Sequence, residues 1–148
     1  MSQAQTFHPY IQAAKTPDKP ALIMGGSGET ITFKQMDDRS NQGAQLFRSL
    51  GLEKGDTIAI FLDNNPRYFE IAWAAQRSGL YFTCISSRLT APEVKYIVED
   101  SGSQILITCP ALADVAKEVK ATTTLDKYYS VSGGIEGFED FEAWIAQE

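Results

Sequence analysis

Residues 55 to 86, GDTIAIFLDNNPRYFEIAWAAQRSGLYFTCIS, hold a helix-length stretch between two apolar runs of strand length. GDTIAIFL is rich in β-branched residues and is bounded by Gly55-Asp56 and Asp63-Asn64, which predicts a strand. The following helix is marked twice, by Asn65 in an N-cap position and by Pro66 at the first helical position. Ala72 and Ala75 follow Tyr68 at i+4 and i+7, with Gly79 a turn later, so the inner face is small enough to approach a sheet closely. Phe69 and Trp73 are expected to fill its flanks. LYFTCIS is apolar on both alternating faces, the pattern of a strand covered above and below. Strand, helix and strand in this order make a βαβ unit, which requires a parallel pair and a crossover.

The rest of the chain repeats this alternation. Residues 7 to 16 predict a short helix that stops before Pro17. PALIM and ETITF flank GGSG, a hairpin signature over about residues 20–33. Thr32 and Gln35 form a capping box, and Met36, Ser40, Gly43, Ala44, Phe47 and Leu50 then recur at helical spacing up to Gly51. A second capping box, Thr90 with Glu93, opens a helix whose buried stripe is Val94, Ile97 and Val98 and which Gly102 ends. QILIT reads as a strand, ALADVAKEV as a helix and KYYSV as a last strand. FEDFEAWIAQE predicts an amphipathic helix over about 137–147 with Phe138, Phe141, Trp144 and Ile145 inward. The expected fold is a three-layer α/β domain, a mostly parallel sheet flanked by helices, plus a small N-terminal β-hairpin. It is expected as a single domain over 1–148, with a βαβ core over about 34–133.

Charge and cysteine usage narrow the function. A net charge of -6 with no Lys/Arg cluster argues against nucleic-acid binding. Cys84 and Cys109 have no C-x-x-C neighbour and the chain has one histidine, so both are expected to be buried free thiols with no metal site. MSQAQTFHPY lacks the apolar and basic segments of a signal peptide, and no apolar run is long enough to span a membrane; the expected location is the cytoplasm.

Motifs that carry chemistry are sparse. GGSGET could cradle an anion on its backbone, but it lacks the Lys-Ser/Thr ending of a Walker loop and leads into a strand. His8 lies in the N-terminal segment, where helix-entry packing outweighs catalysis. Asp63, Asn64 and Asn65 are explained by capping the next helix, with a catalytic carboxylate at Asp63 as the lesser reading. Arg88, just past the LYFTCIS strand and close to a helix N-terminus, is balanced between a solvated arginine and a phosphate contact. By its own residues the chain is a scaffold without a reaction centre.

The order and spacing of several weak motifs across residues 7 to 108 resemble one family. They are Ser40-Asn41, Leu50-Gly51 with Gly55-Asp56, Asn65-Pro66, Gly79, Arg88-Leu89-Thr90 with Glu93, and Asp100-Ser101. Together they resemble the opening of the AMP-forming acyl-CoA synthetases, the adenylate-forming ligases. The resemblance implies activation of a carboxylic acid with Mg-ATP to an acyl-adenylate, release of pyrophosphate, and acyl transfer to the thiol of coenzyme A. The family's Ser/Thr/Gly-rich phosphate loop and catalytic lysine have no counterpart in this sequence. The chain is therefore expected to be the N-terminal part of a longer ligase, inactive alone, with no catalytic residue of its own and no tight binding of ATP, Mg2+ or coenzyme A. Its partners would be the remainder of the ligase chain and the acid and CoA bound by the whole enzyme, and exposed apolar surface would favour self-association.

The family's Asn-x-Arg-Leu step maps onto Ser86-Ser87-Arg88-Leu89, which makes Arg88 the expected contact to coenzyme A phosphates. Ser86 in place of Asn, and Cys84 near the usual proline, depart from the family pattern. CISSRLTAPEV also differs from the Pro-Leu-Asp step of carrier-protein-loading relatives. The alternatives are a stand-alone, non-catalytic interaction module on the same scaffold, and an unrelated nucleotide-binding α/β domain.

Overall fold

The computed structural model describes residues 8–147. Residue 7, where the sequence places the start of the first helix, lies outside them, as does most of the segment weighed for a signal peptide. Helix α1 (Pro9–Lys15) leads to a two-stranded antiparallel hairpin, β1 (Pro20–Ile23) and β2 (Thr30–Thr32), with Leu22 opposite Ile31. Its turn closes through Gly28, whose φ of 75° suits a residue without a side chain.

Helix α2 (Phe33–Ser49) starts at the expected capping box. The Gln35 amide donates to the Thr32 hydroxyl at 3.2 Å, and the Thr32 amide donates back to the Gln35 side chain at 2.9 Å. The chain then alternates β3 (Thr57–Ile60), α3 (Arg67–Arg77), β4 (Tyr81–Cys84), α4 (Ala91–Asp100), β5 (Ser103–Thr108), α5 (Ala113–Thr122) and β6 (Lys127–Ser130). Two short elements follow, β7 (Glu139–Asp140) and α6 (Phe141–Ile145).

Among the described residues the main sheet has five strands in the order β4-β3-β5-β6-β7, all parallel. From β3 the chain moves to one side through α3, then returns past β3 through α4 and continues through α5. Reversing direction while changing face keeps the crossovers of one hand. Strand residues divide between two cores accordingly. Ile58, Ile60 and Ile107 pack with Phe47, Ile71, Ala74 and Phe141 on the α2–α3–α6 side, while Ala59, Phe61 and Leu106 pack with Val94, Val98 and Val119 on the α4–α5 side. The three-layer arrangement matches the sequence expectation.

Three local expectations are corrected. LYFTCIS does not form a strand covered on both faces: β4 is an edge strand, with Tyr81 70% exposed and Phe82 40% exposed. Its apolar composition reports affinity for cover, and no described element supplies that cover. Phe69 likewise stands half out of the α3 flank. The C-terminal helix begins at Phe141, after a short strand, because the Asp140 carboxylate accepts the Ala143 amide at 3.0 Å and caps it there. Phe141 and Ile145 point inward; Trp144 is exposed, and Phe138 precedes the helix.

Candidate functional site

In a parallel sheet of this order, ligands are held beyond the carboxyl ends of the strands where the winding reverses, here between β3 and β5. The chain bridges those two strand ends itself. Beyond β3, Asp63 accepts a hydrogen bond from the Cys109 thiol beyond β5, at 3.4 Å. Cys109 is buried, and burial pushes its thiol pKa up, so it stays protonated and remains a donor.

The N-terminus of α3, which would face a phosphate group, is also taken. Asn65 Oδ1 accepts the Arg67 amide at 2.9 Å, and its Nδ2 donates to the Ser132 hydroxyl at 3.0 Å. The Ser132 amide in turn donates to Glu142 Oε1 at 2.8 Å from a left-handed backbone, φ 60°. Asn65 thus performs the capping expected of it, while Asp63 braces the strand ends. One first-turn donor of α3, the Arg67 amide, is thus met by the chain's own Asn65 side chain, which weakens that terminus as an anion site. Among the described residues no group of three or more His, Cys, Asp and Glu side chains could hold a metal ion. His8 caps α1, its Nδ1 accepting the Tyr10 amide at 3.4 Å.

Open space lies beside this bridge, and Asp63 and Asn65 line it as well. A cleft of about 640 Å³ runs between the hairpin and the ends of β3 and β4. Leu22 and Met24 form one wall, Phe69 and Ile85 another, and Asp63 and Ser86 lie at the polar end. Tyr68 and Cys84 meet on its lining. Burial, then a hydrogen bond with Cys84, holds the Tyr68 phenol far above its ordinary range. Cys84 corrects the second thiol expectation: it is exposed, because it ends the uncovered edge strand. The cleft offers shape and apolar surface; it contains no nucleophile paired with a base.

Arg88 lies outside this lining, exposed in the turn between β4 and α4. Its amide donates to the Ser86 hydroxyl at 3.4 Å. Among the described residues no carboxylate lies within 4.0 Å of its guanidinium. The nearby start of α4 is occupied, since Glu93 accepts both the amide and the hydroxyl of Thr90 at 2.8 Å. That bonding draws the Glu93 pKa down. The helix end therefore adds little attraction for an anion, and Arg88 acts there as a lone, solvated cation.

A charged cluster joins the hairpin, α2 and α3, and no sequence motif points to it. Arg67 contacts Glu29 at 2.8 Å and Glu70 at 3.3 Å, and Arg39 reaches Glu70 at 3.5 Å. Glu70 is 5% exposed at its side chain and Arg67 10%. The one local sign of it is the i, i+3 pair Arg67 and Glu70 on a helix face otherwise made of Ile71, Ala74 and Ala75. Its other members lie 31 and 38 residues away in sequence.

Comparison with known proteins adds the context that the site lacks. Residues 10–141 match the family model described as AMP-binding enzyme. The chain is 35% identical over 112 residues to long-chain fatty acid transport protein 2 of Rattus norvegicus, covering 75% of this chain and 18% of that protein. It is 32% identical over 119 residues to the fatty acid–[acyl-carrier-protein] ligase ScoC of Streptomyces coeruleorubidus, covering 80% and 22% respectively. The solved fatty acyl CoA synthetase of Mycobacterium tuberculosis superposes with a TM-score of 0.76 at 27% identity, over 82% of this chain and 25% of that one. The chain spans about a fifth of the length of these curated relatives.

Proposed function

The chain belongs to the AMP-binding enzyme family, and from that premise we propose that it serves as the N-terminal portion of an ATP-dependent, AMP-forming acyl-CoA synthetase. The family match over residues 10–141, by a chain about one fifth as long as its relatives, carries this reading. The whole protein would join a fatty or other carboxylic acid to coenzyme A through an acyl-adenylate, with Mg2+ and ATP consumed and AMP and pyrophosphate released. This portion supplies scaffold. The Cys109–Asp63 bond across the β3 and β5 ends and the Asn65 bond to the first turn of α3 support placing the ATP chemistry on another part of the longer chain. Arg88, exposed and unpaired among the described residues, is the one cation we assign to the coenzyme A phosphates.

None of the helices described is long and apolar enough to cross a membrane, and we place the protein in the cytoplasm. Tyr81 and Phe82 on the open β4 edge make pairing of two copies the expected form of self-association by this chain alone.

Acid-dependent exchange of pyrophosphate into ATP tests the assignment. The 148-residue chain is expected to show none, and a protein carrying it within a full-length ligase is expected to show exchange with a fatty acid. Exchange by the short chain, or its tight binding of ATP, would overturn the reading.

A further inference from the structure

The β1–β2 hairpin is not part of the main sheet. A two-stranded hairpin is at best marginally stable by itself, and this one buries a single large apolar side chain fully, Ile31. Ile23 is 63% exposed, while Leu22, Ile23, Met24 and Gly25 face the cleft. Its base is fixed to the start of α2 by two backbone bonds, from the Phe33 amide to the Lys19 carbonyl and from the Lys34 amide to the Pro17 carbonyl, each 3.0 Å. Near its turn the tie is ionic: Glu29, 45% exposed, meets the almost buried Arg67 of α3 at 2.8 Å.

We propose that the hairpin is a hinged wall of the cleft, latched near its turn by Glu29 on Arg67, and that Glu70 sets the strength of the latch by competing for the same guanidinium.

The cluster has two cations and two carboxylates shared among three elements. Glu70 on α3 faces Arg39 from α2, Arg67 from its own helix, Glu29 from the hairpin and Glu142 from α6. Burial pushes the Glu70 carboxyl up to about 7; Arg39 opposes this, and Glu142 and Glu29 add to it. Below that pH Glu70 is neutral, and Arg67 is left to Glu29 alone. Above it Glu70 draws on Arg67 and repels Glu29, so the latch loosens and the cleft wall is freed. The hinge rests on residues within this chain and is independent of the acid that a longer ligase would use.

Amide hydrogen exchange on the 148-residue chain, expressed as protection factors to remove the intrinsic pH effect, tests this. Released from its latch, the marginally stable hairpin frays from its turn, so the informative amides are Met24, bonded to the Glu29 carbonyl, and Gly28, bonded to the Met24 carbonyl, both at 2.8 Å; Ile105 and Leu106 of β5 are the reference. Between about pH 6 and about pH 8 the protection of Met24 and Gly28 is expected to fall several-fold relative to β5. Glu29→Gln should lower it by about tenfold at either pH, the scale of a lost charge-assisted bond, and abolish the pH effect. Glu70→Gln should keep it high throughout. A Glu29→Gln hairpin as protected as the wild type, a loss shared equally with β5, or a pH effect that survives Glu29→Gln would each overturn the latch. The last holds even if Glu70→Gln fails to fold.

Discussion

Gly43 on α2 faces Ala74 on α3 so closely that a β-carbon built on Gly43 would lie 2.8 Å from the Ala74 methyl. The Ala74 methyl is fixed to the α3 backbone and cannot swing away. Alanine at position 43 would gain about 1 kcal/mol of helix propensity. Overpacking against a rigid helix costs about 1–3 kcal/mol, and at this separation it outweighs that gain. Gly43→Ala is expected to lower the urea midpoint, and adding Ala74→Gly should recover part of the loss. An unchanged midpoint would mean that α2 and α3 separate at little cost.

Glu70 gives the fold an unusual dependence on pH. Its pKa rises from 4.5 to about 7 on folding, chiefly through burial, so between those values the folded chain binds more protons than the unfolded one. The contribution of Glu70 is full below pH 4.5 and is lost as pH rises to about 7, by an amount of up to about 3 kcal/mol. Chemical denaturation at about pH 5 and about pH 8 should show the wild type losing ground and Glu70→Gln losing less. The difference between the two proteins isolates Glu70 from His8, whose lowered pKa acts in the opposite sense.

The two thiols should separate cleanly by reactivity. Cys84 is exposed at the cleft, whereas Cys109 is buried and bonded to Asp63, with its pKa raised by burial. An aromatic disulfide reagent is expected to titrate one thiol in the native chain and two in urea. Cys84→Ser should remove the native reaction, and Cys109→Ser should leave it intact.

Arg88→Ala, made within the longer ligase, tests the coenzyme A assignment. Loss of a charge-assisted phosphate bond, about 1.5–3 kcal/mol, corresponds to a rise of roughly tenfold or more in the apparent KM for coenzyme A. Adenylation, followed by pyrophosphate exchange, should be unchanged. A normal KM would return Arg88 to the role of a solvated side chain.

Local sequence signals were dependable where a single element decides its own structure. The Thr32–Gln35 box, the Thr90–Glu93 box and the Asn65 cap all form at the expected residues. They failed where the outcome belongs to a neighbour. The apolar alternation of LYFTCIS measures what β4 would tolerate on each face, and it cannot name the element that would lie there. Gly43 fits the periodic stripe of α2, yet the need for glycine appears only once Ala74 packs on it. The Arg39–Glu70–Arg67–Glu29 cluster joins residues far apart in the chain, so no window of sequence contains it. At the site, the sequence assigns Asp63 to capping α3, but the structure has it accept from Cys109, 46 residues away, a partner that no local window contains.

The two borders of the main sheet differ in kind. On one side β7 is two residues long, acidic, and runs straight into α6, which leaves almost no backbone free for another strand. On the other, β4 offers four residues with no lysine or proline to discourage pairing. Of the two borders, β4 is the one that presents more backbone to an added strand. Because β4 ends at Cys84 on the cleft lining, such an addition would also change who has access to that cleft.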